Sequence, residues 1–76
     1  MIKEHDCVVL TADLADTDLV AGDVGTVVHI HTGKKAFEVE FMTSLGRTIT
    51  IATLYPTQIR PLSKSEVFHV RELTKA

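Results

Sequence analysis

The stretch Leu19-Val20-Ala21-Gly22-Asp23-Val24-Gly25-Thr26-Val27-Val28 decides the fold. A polar turn at Gly22-Asp23 feeds a β-branched run, and a glycine, Gly25, stands just inside that run. Glycine weakens a flat strand but tolerates the kink that a sharply bent one needs. The pattern therefore predicts the start of a strand in a small, strongly bent β-barrel.

Outward from this stretch the hydrophobic period is two almost throughout. Cys7-Val8-Val9-Leu10-Thr11 is a short β-rich run. Residues 24–31 place Val24, Thr26, Val28 and Ile30 on one face, with Val27, His29 and His31 on the other. Residues 36–42 alternate most cleanly, with Phe37, Val39 and Phe41 inward and Glu38 and Glu40 outward. Residues 48–53 set Ile49 and Ile51 against Thr48 and Thr50. These read as half-buried antiparallel strands. The connectors 32–35 and 43–47 have hairpin length and carry Gly33 and Gly46.

Residues 11–23 are long for a connector and rich in Asp, yet Leu14, Leu19 and Val20 give them apolar anchors. A folded surface loop pinned to the barrel is expected. Tyr55-Pro56-Thr57-Gln58-Ile59 fits a single helical turn, and Arg60-Pro61-Leu62 a short closing strand. Pro61 lacks an N–H, so that strand lies at an edge or ends there. The expected fold is all-β, about five antiparallel strands with one short helical turn, over residues 1–62. Residues 63–76 form a tail that packs on the barrel or on a partner chain. Ser63 with Glu66 makes a capping-box pattern, and Val67, Val70 and Leu73 recur at helical spacing, which predicts a short helix. Val67-Phe68-His69-Val70 also fits a strand, with Phe68 off the helical stripe.

With 76 residues the chain holds one small core, and a domain of this size buries only about 60% of the surface its unfolded form exposes. The single cysteine, Cys7, rules out an intrachain disulfide and fits a reducing compartment. No basic-then-apolar leader opens the sequence, and no apolar run approaches the roughly 20 residues that span a bilayer. A cytoplasmic protein is expected. Charge is uneven: residues 1–23 carry six acids against one base, and residues 24–76 carry seven bases against four acids. Halves of opposite sign can pair between copies, or the acidic loop can fold over the chain's own basic side.

His5-Asp6-x-Val8-x-Leu10, Gly22-Asp23-x-Gly25-Thr26-Val27-Val28, Glu38-Val39-Glu40-Phe41, Thr50-Ile51 and the closing Gln58-Ile59-Arg60-Pro61-Leu62 stand in one order. Together they resemble a family of short uncharacterised bacterial domains, best represented in cyanobacteria. The resemblance covers residues 2–62 and implies an SH3-like barrel with no assigned activity. More distantly, the acidic-valine strand and Gly-Asp-x-Gly-Thr-Val-Val resemble the KOW modules of ribosomal proteins and transcription elongation factors.

The inventory speaks against catalysis. Cys7 has four histidines to choose from (His5, His29, His31, His69), but no phosphate cradle, nucleophile elbow or local Cys/His signature accompanies it. A filled small barrel also leaves little concavity. Cys7 reads as a small core or strand residue. His29 and His31 leave one strand face and make a weak metal pair; a closed site would need two further ligands, so solvent-facing histidines are the expectation. Asp13, Asp16 and Asp18 lack the order and the terminal glutamate of a calcium loop. No cofactor is expected. For nucleic acid, Lys34 and Lys35 are separated from Arg47 by a strand of roughly 20 Å, which prevents one basic patch in a monomer.

Protein recognition remains. The outer positions Val9, Val27 and Met42 are apolar, and the tail adds Val67, Phe68, Val70 and Leu73. The expected binding residues are Tyr55 and Pro56 at a barrel corner, Asp16 and Asp18 as steering charges, and Val67, Phe68 and Val70 as apolar anchors. The partner is another protein or a second copy of the chain in a homodimer. A non-catalytic interaction module follows, acting as a regulator or an immunity-type partner; the alternative is a KOW-like RNA- or ribosome-associated module.

Overall fold

The computed structural model describes residues 2–73. Five strands, β1 (Cys7–Leu10), β2 (Val24–Ile30), β3 (Phe37–Met42), β4 (Thr48–Leu54) and β5 (Ile59–Pro61), form one antiparallel sheet in the order β4-β3-β2-β1-β5. A 3₁₀ turn, Pro56–Gln58, joins β4 to β5. Gln58 closes it from both sides: its amide donates to the Tyr55 carbonyl, and its side-chain oxygen accepts from the Tyr55 amide, each at 2.8 Å.

The sheet is bent around its core. Val8 and Leu10 of β1, Val27 of β2, Phe37, Val39 and Phe41 of β3, Leu54 of β4 and Ile59 of β5 pack into one cluster with Leu19 of the long loop. Leu54 and Ile59 belong to the two edge strands, so a flat sheet would hold them far apart. Their meeting in one cluster is what makes the five-stranded sheet barrel-like.

At Gly25, β2 is packed tightly against β3. A Cβ there would lie 2.5 Å from Val39 Cγ1, 2.8 Å from Phe41 Cε1 and 3.0 Å from the Glu40 carbonyl oxygen. The glycine is needed for this close approach, while Gly22 (φ 96°) supplies the left-handed turn before it.

Two bulges reset the alternation. In β2, Val27 pairs with Val39 and His29 with Glu38, leaving Val28 as the extra residue. The core side therefore runs Gly25, Val27, Ile30, and Val27 is fully buried where period two had put it outside. In β4, Thr50 pairs with Phe41 and Thr48 with Met42, with Ile49 between them. Ile49 and Ala52 pack against the core, whereas Ile51 is exposed. Ile49 and Ile51 thus do not share a face. Val9, also read as an outer position, is buried, so only Met42 of the three is exposed. Cys7 lies in β1 as expected but is exposed and outside the core.

The 11–23 loop is folded, with Leu19 in the core and Leu14 against it; Val20 is exposed and anchors nothing. Its base is zipped by Leu10 N–H to the Asp23 carbonyl and Gly22 N–H to the Leu10 carbonyl. Beyond β5 the tail is neither helix nor strand among the described residues, which overturns both expectations for it. Of the helical stripe, Val67 and Val70 stand exposed with no core surface to cover, and Leu73 alone is half-buried. Residues 74–76 of the predicted tail lie outside the described residues.

Candidate functional site

The tail is held at two points. At the first, Arg60 of β5 donates through Nη1 and Nη2 to both oxygens of Glu66, at 2.8 and 2.7 Å. The Ser63 amide donates to Glu66 Oε1 at 2.7 Å, and the Glu66 amide returns a bond to the Ser63 carbonyl. Only the Glu66 half of the pattern that looked like a helix start is therefore present, because the Ser63 hydroxyl accepts from the Ser65 amide instead, and the bonds close a turn. The Arg60 hydrogen bonds and the Ser63 amide push the Glu66 carboxyl down to about 2.

At the second point Arg71 reaches back to the long loop. Its Nε donates to Asp23 Oδ1 at 2.9 Å, and its Nη2 donates to Asp23 Oδ2 and to the Asp18 carbonyl, each at 2.5 Å. Asp23 is itself fixed, accepting from the Val20 amide at 2.9 Å. Partial burial would raise its carboxyl, but the bonds from Arg71 and Val20 outweigh this and hold it below the usual range. Planar two-pronged Arg–carboxylate pairing fixes geometry as well as charge. One base of the second half, Arg71, thus pairs with the acidic loop.

Between the clamps lie Val67, Phe68, His69 and Val70. Val67 is 90% exposed, Phe68 67% and Val70 87%. Among the described residues no backbone–backbone hydrogen bond involves 67–70. The segment is an apolar bridge with open donors and acceptors, pinned at both ends. Past it, Leu73 lines a shallow groove of about 330 Å³ with Asp16, Thr17 and Asp18 of the loop and Ile49 and Thr50 of β4.

Asp16, Asp18 and the tail are thus brought together, Asp18 through its carbonyl. Tyr55 (58% exposed) and Pro56 sit at the β4–β5 corner and do not line the groove. Asp13 is a loop brace, its Oδ1 accepting from the Ala21 amide at 2.9 Å, and Asp16 adopts a left-handed turn conformation at φ 64°. Asp23, Arg60, Glu66 and Arg71 were not singled out as site residues from sequence: Arg71 meets Asp23 across 48 residues, and Arg60 meets Glu66 six residues on, a spacing that no regular element brings together. The uneven charge of the two halves was a trace of the first pair alone.

The histidines occupy the outer face of β2 and its end. Their rings meet edge to face at 5.3 Å between centroids. His31 Nε2 lies 2.6 Å from Glu38 Oε2, and His29 Nδ1 lies 4.0 Å from Glu4. The His31 hydrogen bond, with help from the Thr53 hydroxyl, lowers the Glu38 carboxyl. Among the described residues no group of three or more His, Cys, Asp or Glu side chains is arranged to hold a metal ion. Nor is any described helix long and apolar enough to cross a membrane. Of the bases, Arg60 and Arg71 are engaged by carboxylates, and Lys34 and Lys35 lie across β3 from Arg47.

A family model described as Domain of unknown function (DUF4926) matches residues 4–61, nearly the span over which the sequence resembled an uncharacterised family. No curated protein and no solved structure matches the chain. The matched span ends with β5, so the clamped segment follows it.

Proposed function

The chain belongs to the DUF4926 family, and from that premise we propose that it is a non-catalytic module that recognises another protein through residues 67–70, regulating the protein it binds. One observation carries this reading: three apolar side chains stand exposed in a segment whose two ends are both tied down by arginine–carboxylate pairs. A free tail would lose conformational entropy on binding, whereas a pinned one has already lost it. A segment outside helix and strand with unpaired backbone groups also suits addition to the edge of a partner's sheet, where main-chain bonds give affinity and alternate side chains give specificity. Leu45 is a useful contrast. It is 95% exposed but stands alone in the β3–β4 turn, and scattered apolar residues of that kind need no explanation.

The test is in-cell photo-crosslinking of the full chain carrying a photoreactive phenylalanine analogue at position 68, or at position 45 as control. A discrete protein adduct from position 68 and none from position 45 is expected. No adduct at 68, or the same adducts from both positions, would overturn the reading.

A further inference from the structure

We propose that the partner is a second copy of this chain and that the two copies exchange tails, Arg71 of each clamping Asp23 of the other. This rests on the reading of 67–70 as a recognition segment and names what it recognises. Apart from a bond to the neighbouring Glu72 carbonyl, which travels with the tail, Arg71 is held by loop atoms, the Asp23 carboxylate and the Asp18 carbonyl, and a tail from another copy offers them the same guanidinium. Exchange therefore costs no contact at the clamp, the condition that makes swapping of a terminal element an easy route to a dimer. With the Arg60–Glu66 clamp closed, the five residue steps from Glu66 to Arg71 reach up to about 17 Å when extended, which requires the two copies to lie side by side; opening that clamp frees the nine steps from Leu62, up to roughly 30 Å.

Exchange also supplies what the closed chain lacks. With its tail folded back, the chain leaves Val67, Phe68 and Val70 in water and the 67–70 backbone without hydrogen-bond partners among the described residues. In an exchanged pair the two crossing segments run antiparallel about the two-fold axis. They are rich in β-branched and aromatic residues, so they can pair as strands and cover each other's apolar side chains. The opposite charges of loop and tail then attract between copies as they do within one. Against this stands the high effective concentration of a tethered tail, which favours the closed monomer at low protein concentration. The dimer therefore dissociates on dilution.

Two charge reversals separate exchange from closure. In R71E the tail meets a like charge on its own loop, and in D23R it does so again, whether the loop belongs to the same copy or to an identical one. Only in an equimolar mixture do both tails find an opposite charge, and only on the other copy. Sedimentation equilibrium is expected to give monomers for each variant alone and a one-to-one dimer for the mixture. Adding V67S, F68S and V70S to both partners is expected to weaken that dimer by about tenfold or more. A mixture that sediments as monomers overturns the proposal. Should either variant fail to fold by circular dichroism, isotope-filtered NOE spectroscopy on the unmodified chain decides. Contacts from the Phe68 ring to Val67 or Val70 of another copy are expected at high concentration, and their absence overturns the exchange. A different protein crosslinked at position 68 by a chain that stays monomeric would sink the exchange and leave the recognition reading standing.

Discussion

Arg71 and Asp23, 48 residues apart in sequence, form a two-pronged ion pair that binds the end of the tail to the base of the long loop. The same guanidinium holds the Asp18 carbonyl, so one side chain fixes two points of the loop and one of the tail. With Arg60–Glu66 at the other end, it converts four residues of tail into a suspended bridge.

Arg71→Ala is expected to free the tail while leaving the barrel folded, since none of the core side chains belongs to the tail. Limited proteolysis reads this: cleavage after Phe68 should accelerate by about tenfold, because a segment is cut in proportion to its open population. The chemical denaturation midpoint of the barrel should move little.

Acid should release the tail as well. Both anchoring carboxyls lie below their ordinary values, 4.5 for Glu66 and 3.8 for Asp23. A depressed carboxyl stabilises the docked state above its undocked pKa and loses that contribution as pH falls toward the docked one. The Glu66 contribution is thus intact at neutral pH and fades from about 4.5 down to about 2. Backbone amide shifts of residues 63–71, followed by NMR from pH 7 downward, are expected to stay constant to near pH 5 and then move together. A transition near neutrality would point to a histidine in place of the carboxyls.

Gly25→Ala is expected to destabilise the barrel by about 1–3 kcal/mol through overpacking, because the new methyl would meet Val39 Cγ1 at 2.5 Å. The double variant G25A/V39A should recover part of the loss relative to the sum of the single effects, since removing Cγ1 opens the space the methyl needs. Urea denaturation of the four chains measures this coupling.

Phe41→Ala removes one of the largest fully buried side chains and is expected to cost about 3–5 kcal/mol. In a domain this small that is a large part of the whole stability. Leu45→Ala, in a fully exposed turn, should change it by less than about 0.5 kcal/mol. Thermal melts followed by circular dichroism separate the two.

Much of the barrel was legible in the chain. The Phe37/Val39/Phe41 alternation, the glycine-bearing hairpin turns and the Tyr55–Pro56 corner all stand where period two and turn chemistry put them. The two bulges did not show. Val28 and Ile49 each insert one residue, and a pattern read with unbroken period two then puts one side of each bulge on the wrong face, Val27 before it in β2 and Ile51 beyond it in β4. Reading Gly25 as a close-approach residue would have corrected β2, because its partners lie inside. In the tail, the Ser63–Glu66 signature is local and was seen, but its sequel was decided by Arg60 and Asp23, which local spacing cannot reveal. Once both clamps form, Val67 and Val70 have no surface to cover, so the helical stripe has nothing to fold against.

The recognition reading requires residues 67–70 to be held in one shape before any partner arrives. ¹⁵N relaxation on the full chain at low concentration, beside the R60A/R71A variant, measures this most directly. The expected order parameters for 67–70 approach those of a rigid backbone, about 0.85, and fall below about 0.6 in the variant. A segment as mobile in the natural chain as in the variant would contradict it.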